Sequence, residues 1–432
     1  MIFERLSLVQ CRTLRRPMTL LFTTVWAAGF LANVFALPAA EYDWYRWRGP
    51  NLNGVSLETG WLSTWPKDGP KQLWKASVGA GFSSVSVSQG RVYTMGNNDG
   101  TESVSCLESE SGKEIWKHSY SSPVDAHYYE GGTSVTPTVD GDAVYTLSKR
   151  GQLFCFEAAT GKIKWSKNIP QETGVKIPEW GFASSPLIEG HLLILNAGSA
   201  GLALNKANGK VLWSTGKDAA GYGSAVTLAM GDQRAVAIFA AKHLVGVNIK
   251  NGEELWRHPW KTSYDVNAAD PIISGDKVFL SSGYGTGCGV IQFGAGKTSL
   301  VWKNKNMRNH FNSCVLVGDY IYGIDGQAED DHPPLRCLDF KTGAVKWSEP
   351  ILGTGTLMAA DGKLIVLAGR GELIIAEASP ARFQALARAQ VLGGKCWSAP
   401  VLSNGRIYCR NAQGDLVCLD VQGKLTTRLS EE

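Results

Sequence analysis

The sequence predicts an all-β protein, folded as an eight-bladed β-propeller of four-stranded antiparallel blades, with the ring closed by the N-terminal strand. Three observations lead to this prediction. Tryptophans recur at intervals of 42 to 49 residues, most of them end the same short phrase, and eight apolar strand patterns lie between them. Repeats of this length that contain several short strands are typical of propeller blades.

The recurring phrase predicts the hairpin between the third and fourth strands of a blade. An acidic residue or Asn is followed four residues later by Gly and, after four more, by Trp, as in Glu108, Gly112 and Trp116. Glycine at a fixed point between two apolar segments indicates a tight turn. The recurring tryptophans are Trp74, Trp116, Trp165, Trp213, Trp256, Trp302 and Trp347.

Upstream of each phrase, a short apolar strand, a Gly turn and a second strand are expected, as in Ser134–Tyr145 and Ser398–Tyr408. An eighth fourth strand is expected near Ala387–Leu392, where the tryptophan is missing. First strands are expected to begin near Ser83, Ser134, Ser184, Ser224, Ala268, Ser313, Thr356 and Ser398.

The two ends of the repeat region complement each other. The strand Leu73–Trp74 precedes every first strand, whereas the last blade, Cys396–Val421, has no fourth strand of its own. Placing the first segment beside the last blade completes the ring and leaves no exposed sheet edge there.

Cysteines follow the same repeat. Cys106, Cys155, Cys337 and Cys418 occupy one position of the third strand, which predicts a small apolar core position in four blades. A disulfide between Cys409 and Cys418 across a hairpin is the alternative for one of them, since an exported chain can oxidise its thiols.

The N-terminus reads as a secretory signal peptide over residues 1–36. A basic stretch ends at Arg16, an apolar run covers Leu20–Phe35, and small residues at Val34 and Ala36 fit a cleavage site. An uncleaved anchor is the alternative. We therefore expect export to the periplasm or cell envelope, an N-terminal extension over 37–70, the propeller over 71–424 and a C-terminal tail over 425–432.

Composition and charge narrow the possible partners. The hydrophobic fraction of 44% and the charged fraction of 19% indicate a globular chain. Of the net charge of +4, the predicted signal carries +3, so the body is nearly neutral. A neutral body lacks the basic surface that nucleic acids require, and no segment of the mature chain is apolar for long enough to span a membrane.

The phrase ending in Trp resembles the tryptophan-docking motif of the pyrroloquinoline quinone (PQQ) repeat family, and the resemblance covers about residues 70–421. This family includes the quinoprotein alcohol dehydrogenases and the BamB-type outer-membrane assembly factors, which are both eight-bladed. The stretch from Trp47 to Asn51, with Gly54 to Ser56, is also similar to the start of secreted bacterial PQQ-like propeller proteins.

The resemblance to the dehydrogenases implies PQQ over the central axis, Ca²⁺ held by carboxylate and Asn oxygens, and an Asp base. These donors are expected in the loops before the first strands. The candidates are Asp265 and Asp270 as catalytic residues; Glu179, Asn267 and Asp270 as metal ligands; and Glu130, Trp180, Asn267, Arg308, Asn309, His310, Lys395 and Trp397 as cofactor-binding residues. The adjacent cysteine pair and the Cys-x-x-Cys-His haem motif known from these enzymes are absent from the sequence.

Three functions follow as hypotheses. The first is an exported scaffold that binds an envelope protein or a small ligand at the propeller axis. The second is a small PQQ- and Ca²⁺-dependent dehydrogenase that oxidises an alcohol or a sugar. The third is a BamB-like factor of outer-membrane protein assembly.

Overall fold

The computed structural model describes residues 41–126, 129–294, 296–328 and 330–423. The predicted signal peptide and C-terminal tail lie outside these residues. The described chain forms eight four-stranded antiparallel sheets, one per predicted blade, so the all-β propeller is confirmed. Among the described helices, none is long and apolar enough to cross a bilayer.

Two strands precede the first blade, β1 (Val55–Ser56) and β2 (Lys71–Ser77). Blades 1 to 4 comprise β3 (Ser86–Ser88), β4 (Arg91–Asn98), β5 (Thr101–Glu108) and β6 (Glu114–Ser121); β7 (Thr138–Asp140), β8 (Ala143–Leu147), β9 (Gln152–Glu157) and β10 (Ile163–Asn168); β11 (Leu187–Glu189), β12 (Leu192–Leu195), β13 (Leu202–Asn205) and β14 (Val211–Ser214); and β15 (Val226–Met230), β16 (Gln233–Phe239), β17 (His243–Asn248) and β18 (Glu254–Pro259).

Blades 5 to 8 comprise β19 (Ile272–Ser274), β20 (Lys277–Ser282), β21 (Gly287–Gly294) and β22 (Lys297–Asn304); β23 (Val315–Val317), β24 (Tyr320–Ile324), β25 (Pro334–Asp339) and β26 (Val345–Pro350); β27 (Thr356–Ala360), β28 (Lys363–Leu367), β29 (Glu372–Glu377) and β30 (Ala385–Gln390); and β31 (Val401–Ser403), β32 (Arg406–Arg410) and β33 (Asp415–Asp420). A short helix α1 (Ile169–Thr173) and a 3₁₀ turn (Ser263–Asp265) lie between blades.

The N-terminal strand closes the ring as predicted. Strand β2 pairs antiparallel with β33 as the outer strand of blade 8, with Trp74 opposite Cys418. Strand β1 adds a parallel pairing to β27 of blade 7. The ends of the propeller are thus held by segments far apart in the chain, which leaves no open interface between the last blade and the first.

Each docking tryptophan joins its blade to the next one. Six of the seven indole N–H groups donate to a carbonyl of the following blade at 2.7–3.0 Å, as Trp116 does to Ala158. The motif glycine is required because a Cβ at Gly161 would lie 2.6 Å from the Trp116 ring. Burial of each indole stabilises the fold by about 1.5–3 kcal/mol. Blade 7 has Ala387 at this position, as the sequence indicates.

The predicted core role of the repeated cysteines is confirmed. Each of the four is buried between a tyrosine of the second strand and a tryptophan of the fourth strand, as Cys106 is between Tyr93 and Trp116. The Cys409–Cys418 disulfide prediction was wrong. Cys409 lies opposite Val417 and Cys418 lies opposite Tyr408, so the two cysteine side chains point to opposite faces of the sheet. The eight cysteines of the described chain are free thiols.

The first strands line the axis, and one position, two residues before each of several of them, links neighbouring blades. The backbone N–H of this residue donates to the side-chain oxygen of its counterpart in the next blade, as Ser84 does to Thr136 and Ser185 does to Ser224. Equivalent bonds run from Thr136 to Ser185, from Ser224 to Asp270 and from Asp270 to Ser313. Asp270 is therefore a member of this ring, at a position where its neighbours carry hydroxyls.

The N-terminal segment 43–58, which we call the plug, enters the axial channel and contacts the blades in order. Its contacts are Trp44 with Val87, Tyr45 with Val139, Arg46 with Ile188, Trp47 with Asp270, Arg48 with Cys314, Val55 with Ala359, and Glu58 with Gly405. Leu52 belongs to the apolar cluster formed by blades 3 and 4. The plug closes the channel from the face that carries the first-to-second-strand turns, here called the lower face.

Candidate functional site

The upper face, formed by the fourth-to-first and second-to-third-strand loops, carries a chain of aromatic side chains around the axis. Successive ring centroids lie 4.1–5.9 Å apart. We call this the aromatic ring; it runs through Tyr264, Tyr284, His310, Phe311, Trp397, Phe82, Tyr129 and Trp180. Loops of six blades thus place one or two aromatic groups each around the axis.

The centre of the aromatic ring covers the plug. Trp397 stacks between Phe311, at 4.1 Å, and Phe82, at 5.1 Å. Beneath these rings is a cavity of about 30 Å³, whose floor is formed by Trp44 and Trp47 of the plug. A space of this size holds one or two waters, so this cavity has no room for a flat cofactor.

Ion pairs at the rim tie loops of distant blades together. Lys395 of blade 8 lies 2.8 Å from the Glu130 carboxylate, and its ammonium is 4.4 Å from the centre of the Trp397 ring. Lys149, which is buried, lies 3.9 Å from Asp125 and over the ring of Tyr129. Glu130, Lys395, Trp397 and Trp180 are therefore brought to one surface.

His310 lies in the same surface as a neutral imidazole. Its Nδ1 accepts the Ala328 N–H at 3.2 Å, so Nε2 carries the proton and donates to the Tyr284 hydroxyl at 3.0 Å. Burial lowers the pKa of His310 to about 4. The residue is thus a hydrogen-bonding wall of the aromatic ring and carries no charge near neutral pH.

Asn267 is turned away from the axis, into the junction of blades 4 and 5. Its amide donates to the carbonyls of Ala240 and Ala241 at 3.0 Å, and its carbonyl accepts from Thr262 at 2.6 Å and Ser282 at 2.9 Å. All its hydrogen-bonding groups are engaged and the residue is fully buried. It serves as a connector of strands.

The carboxylate of Asp270 is also engaged in hydrogen bonds within the protein. It accepts hydrogen bonds from the Trp47 indole and the Ser224 N–H, both at 2.6 Å, and lies 3.6 Å from Arg48. Burial raises the pKa of Asp270 and lowers that of Arg48, and the charge of each partner opposes the shift in the other. Its carboxylate therefore anchors the plug to the innermost strand of blade 5.

Arg308 and Asn309 are also bound within the protein. Arg308 forms two hydrogen bonds to the buried Asp325, at 2.8 and 2.9 Å, and Arg336 reaches the same carboxylate. Asn309 donates to Asn312 and to the Ile324 carbonyl. Both N–H bonds of the Asn309 amide are therefore used within the protein, and the charge of Arg308 is paired with that of Asp325.

The residues do not fit the Ca²⁺ and PQQ site that the resemblance to dehydrogenases implies. Ca²⁺ takes six to eight oxygen ligands, yet Asn267 and Asp270 have separate sets of partners, and Glu179 is exposed. Within the described chain, no group of three or more His, Cys, Asp or Glu side chains is placed to hold a metal ion. Asp265 lies at the rim, 3.6 Å from Lys242.

Several residues of the aromatic ring were not among the candidates drawn from the sequence. Phe82 and Phe311 each precede a first strand by a few residues, and Tyr284 lies in the glycine-rich tip of the β20–β21 hairpin. These aromatic residues lie in loops at the upper ends of the inner strands. This shared position is visible in the sequence only after the blades are aligned.

A larger cavity, of about 280 Å³, opens on the lower face between blades 2 and 3. Its wall includes Tyr45 and Arg46 of the plug and the Lys206–Asp140 ion pair. Its acidic groups are already paired with Lys206 and Arg234, so the cavity has fewer unpaired charged groups for a ligand than the upper face has.

Comparison with known proteins places the chain in a family. The family described as outer membrane protein assembly factor BamB matches residues 100–349. The BamB of Yersinia pestis is 23% identical over 80% of this chain and 87% of its own length. Among solved structures, BamB from Moraxella catarrhalis aligns at a TM-score of 0.60 with 15% identity, covering 82% of this chain and all of that one.

The quinohemoprotein alcohol dehydrogenase of Comamonas testosteroni aligns at a TM-score of 0.64 with 13% identity, over 88% of this chain and 81% of that one. At these identities, the structural likenesses show the eight-bladed fold alone, which hosts more than one function. The family match covers more than half of the sequence and contains six of the seven docking tryptophans. The chain belongs to the PQQ-like propeller family of the outer membrane protein assembly factor BamB.

Proposed function

We propose that the protein is a binding scaffold of the cell envelope that holds a polypeptide partner on its upper face, in a BamB-like role in outer-membrane protein assembly. The observation that carries this proposal is the aromatic ring, which is presented to solvent above a channel that the plug has closed. Membership of the BamB family and the predicted signal peptide support the location and the role.

The aromatic ring has the character of a protein-binding surface. Tyrosine, tryptophan and arginine are enriched at the energetic centres of interfaces, because large rigid side chains bury area with little loss of conformational entropy. Ion pairs such as Lys395–Glu130 surround it and form a polar rim. The blades behind it are rigid, so the surface is preorganised and binding does not have to order it.

The alternative, a PQQ-dependent dehydrogenase, needs an axial site for the quinone and its Ca²⁺. Asn267, Arg308 and Asn309 are committed to internal hydrogen bonds, and the space below Trp397 is about 30 Å³. Either the aromatic layer would have to part or the quinone would have to lie outside it. The structure therefore favours the scaffold over the dehydrogenase.

The test is co-purification of the full chain from the envelope of a cell that expresses it. We expect an outer-membrane assembly protein to be recovered with the unaltered chain and lost with the Tyr129→Ala, Trp180→Ala double variant. Trp65→Ala is the matched control, because Trp65 is a half-buried tryptophan outside the aromatic ring, whose indole N–H donates to the Arg388 carbonyl of β30 in blade 7.

Equal recovery of the partner with the double variant and with the control would contradict the proposal. A thermal shift on adding PQQ and Ca²⁺ to the purified protein, together with dye-linked alcohol oxidation, would establish the dehydrogenase instead.

A further inference from the structure

We infer that the side of the aromatic ring next to blades 3 to 5 binds a positively charged side chain, an arginine or a lysine, of the partner polypeptide. This inference rests on the proposed function, because it specifies the chemistry of the partner at the same face. The site consists of Tyr222, Tyr264 and Tyr284, here called the tyrosine cage, with Glu179 and Asp265 at its edge.

The members of the tyrosine cage come from three loops. The Tyr264 and Tyr284 rings meet edge to face at 5.3 Å. The Tyr222 hydroxyl accepts the backbone N–H of Trp180 at 3.4 Å, which places it beside Glu179. Burial, with smaller contributions from the charges of Glu179 and Asp265, raises the pKa of Tyr222 to about 12. Glu179 acts in the same direction on Tyr284, after burial and Tyr264.

The backbone presents these tyrosines in a strained conformation. Tyr264, Asp265 and Tyr284 have φ values of 61°, 56° and 52°, in the left-handed region that side chains with a Cβ avoid. Tyr264 is also 69% exposed, which is unusual for a large aromatic side chain. Strained backbone is concentrated at binding sites, and nothing in the packing of the propeller requires a tyrosine at this exposed position.

The charges around the cage select a cation. Glu179 is exposed and takes part in no ion pair within the part of the chain that the structure describes. Asp265 has one partner, Lys242, at 3.6 Å, and both are half-exposed, so this pair is weak. His310, which contacts Tyr284, carries no charge that would repel a cation.

A guanidinium or ammonium group can contact the tyrosine rings and the Glu179 carboxylate at the same time. The negative face of an aromatic ring attracts it, and the free carboxylate pairs with it. Arginine fits better than lysine, because its planar group stacks on a ring while donating hydrogen bonds to a carboxylate. An apolar or acidic side chain would bury Glu179 without a partner and is disfavoured.

The test measures binding of two peptides to the purified protein by NMR titration of the labelled ligand. The probes are acetyl-Gly-Arg-Gly-amide and acetyl-Gly-citrulline-Gly-amide, which have the same shape and differ in charge. We expect the arginine peptide to bind about two- to fivefold tighter, the ratio that a cation–π contact at an exposed site provides. Equal affinity for the two peptides would overturn the inference.

Variants assign the effect to the cage. Glu179→Gln should reduce the preference for arginine over citrulline, whereas Glu114→Gln, which neutralises an exposed carboxylate on β6, should preserve it. Tyr264→Gly should weaken arginine binding without lowering the unfolding temperature, because glycine adopts the left-handed conformation without strain. A similar loss with Glu114→Gln would show a general charge effect and refute the cage.

The outcome can be separated from that of the proposed function. If the peptides are not discriminated, but the envelope partner is still lost with the Tyr129→Ala, Trp180→Ala variant, the scaffold proposal stands and the cation site fails. If the partner is retained by that variant while arginine is still preferred over citrulline, the scaffold proposal fails and the cage remains as a site for another basic ligand.

Discussion

Replacing Asp270 by serine tests whether this carboxylate is a structural anchor. Arg48 and Asp270 are both almost inaccessible, with side-chain exposures of 6% and 3%, and their nearest atoms are 3.6 Å apart. Serine matches the hydroxyls at the equivalent position of neighbouring blades and can still accept the Ser224 N–H. It leaves the Arg48 charge buried and unpaired and the Trp47 indole without its acceptor.

The expected loss in the free energy of unfolding follows from the burial of the Arg48–Asp270 pair. Removing one partner of a buried ion pair costs about 3–5 kcal/mol, so Asp270→Ser should lower the free energy of unfolding by that amount at pH 7. Replacing Arg48 by methionine in the same protein removes the unpaired charge. The double variant should therefore be more stable than the sum of the single losses predicts, by at least about 2 kcal/mol.

The assay is equilibrium unfolding in urea, followed by tryptophan fluorescence and far-ultraviolet circular dichroism, so that agreement of the two probes checks two-state behaviour. Additive losses, or an Asp270→Ser variant within about 0.5 kcal/mol of the parent, would refute the account of the plug. Either result would make Asp270 a candidate catalytic residue again, because residues that serve function often do not stabilise the fold.

Three further predictions concern buried groups and the plug. Burial raises the pKa of Glu102 to about 7, so the folded protein keeps a proton that the unfolded chain releases. Stability should fall by about 3 kcal/mol as pH rises from 4.5 to 7, and Glu102→Gln should lack this slope in urea midpoints at pH 5 and 8; parallel slopes would contradict it. The His310 ring protons should not shift in NMR spectra between pH 8 and 5, since its pKa is about 4; a midpoint near 6.5 would disprove the burial argument. A chain that begins at Thr59 lacks the buried side chains of Trp44 and Leu52 and should lose about 3–6 kcal/mol in the same unfolding assay relative to one that begins at Glu41; unchanged stability would show that the plug is dispensable.

The blades could be predicted because every blade makes the same contacts. Trp116 on Gly161 and Trp165 on Gly209 are one interaction repeated, so the residues that make it recur at the period of the structure. The ring closure was predictable for the same reason, since a Trp strand without a blade and a blade without a Trp strand complete each other. Even the buried cysteines followed from their register in the third strand.

The site was less predictable, because polarity in a loop does not reveal where its hydrogen bonds go. Asn267 and Asp270 were expected to face a ligand together with Glu130 and Lys395. The fold directs the first two into the blade junctions, where they satisfy the backbone, and leaves the other two at the rim.

The sequence by itself determined the eight blades, their order and the closing strand, since these depend on short-range patterns that repeat. Only the tertiary structure decided the course of the plug and the convergence of the aromatic ring. Trp47 and Asp270 are 223 residues apart, and Phe82 meets Trp397 where the last blade adjoins the first. Each of these contacts occurs once, so no repetition in the sequence records it, and it arises only when closure of the ring brings distant loops to a common axis.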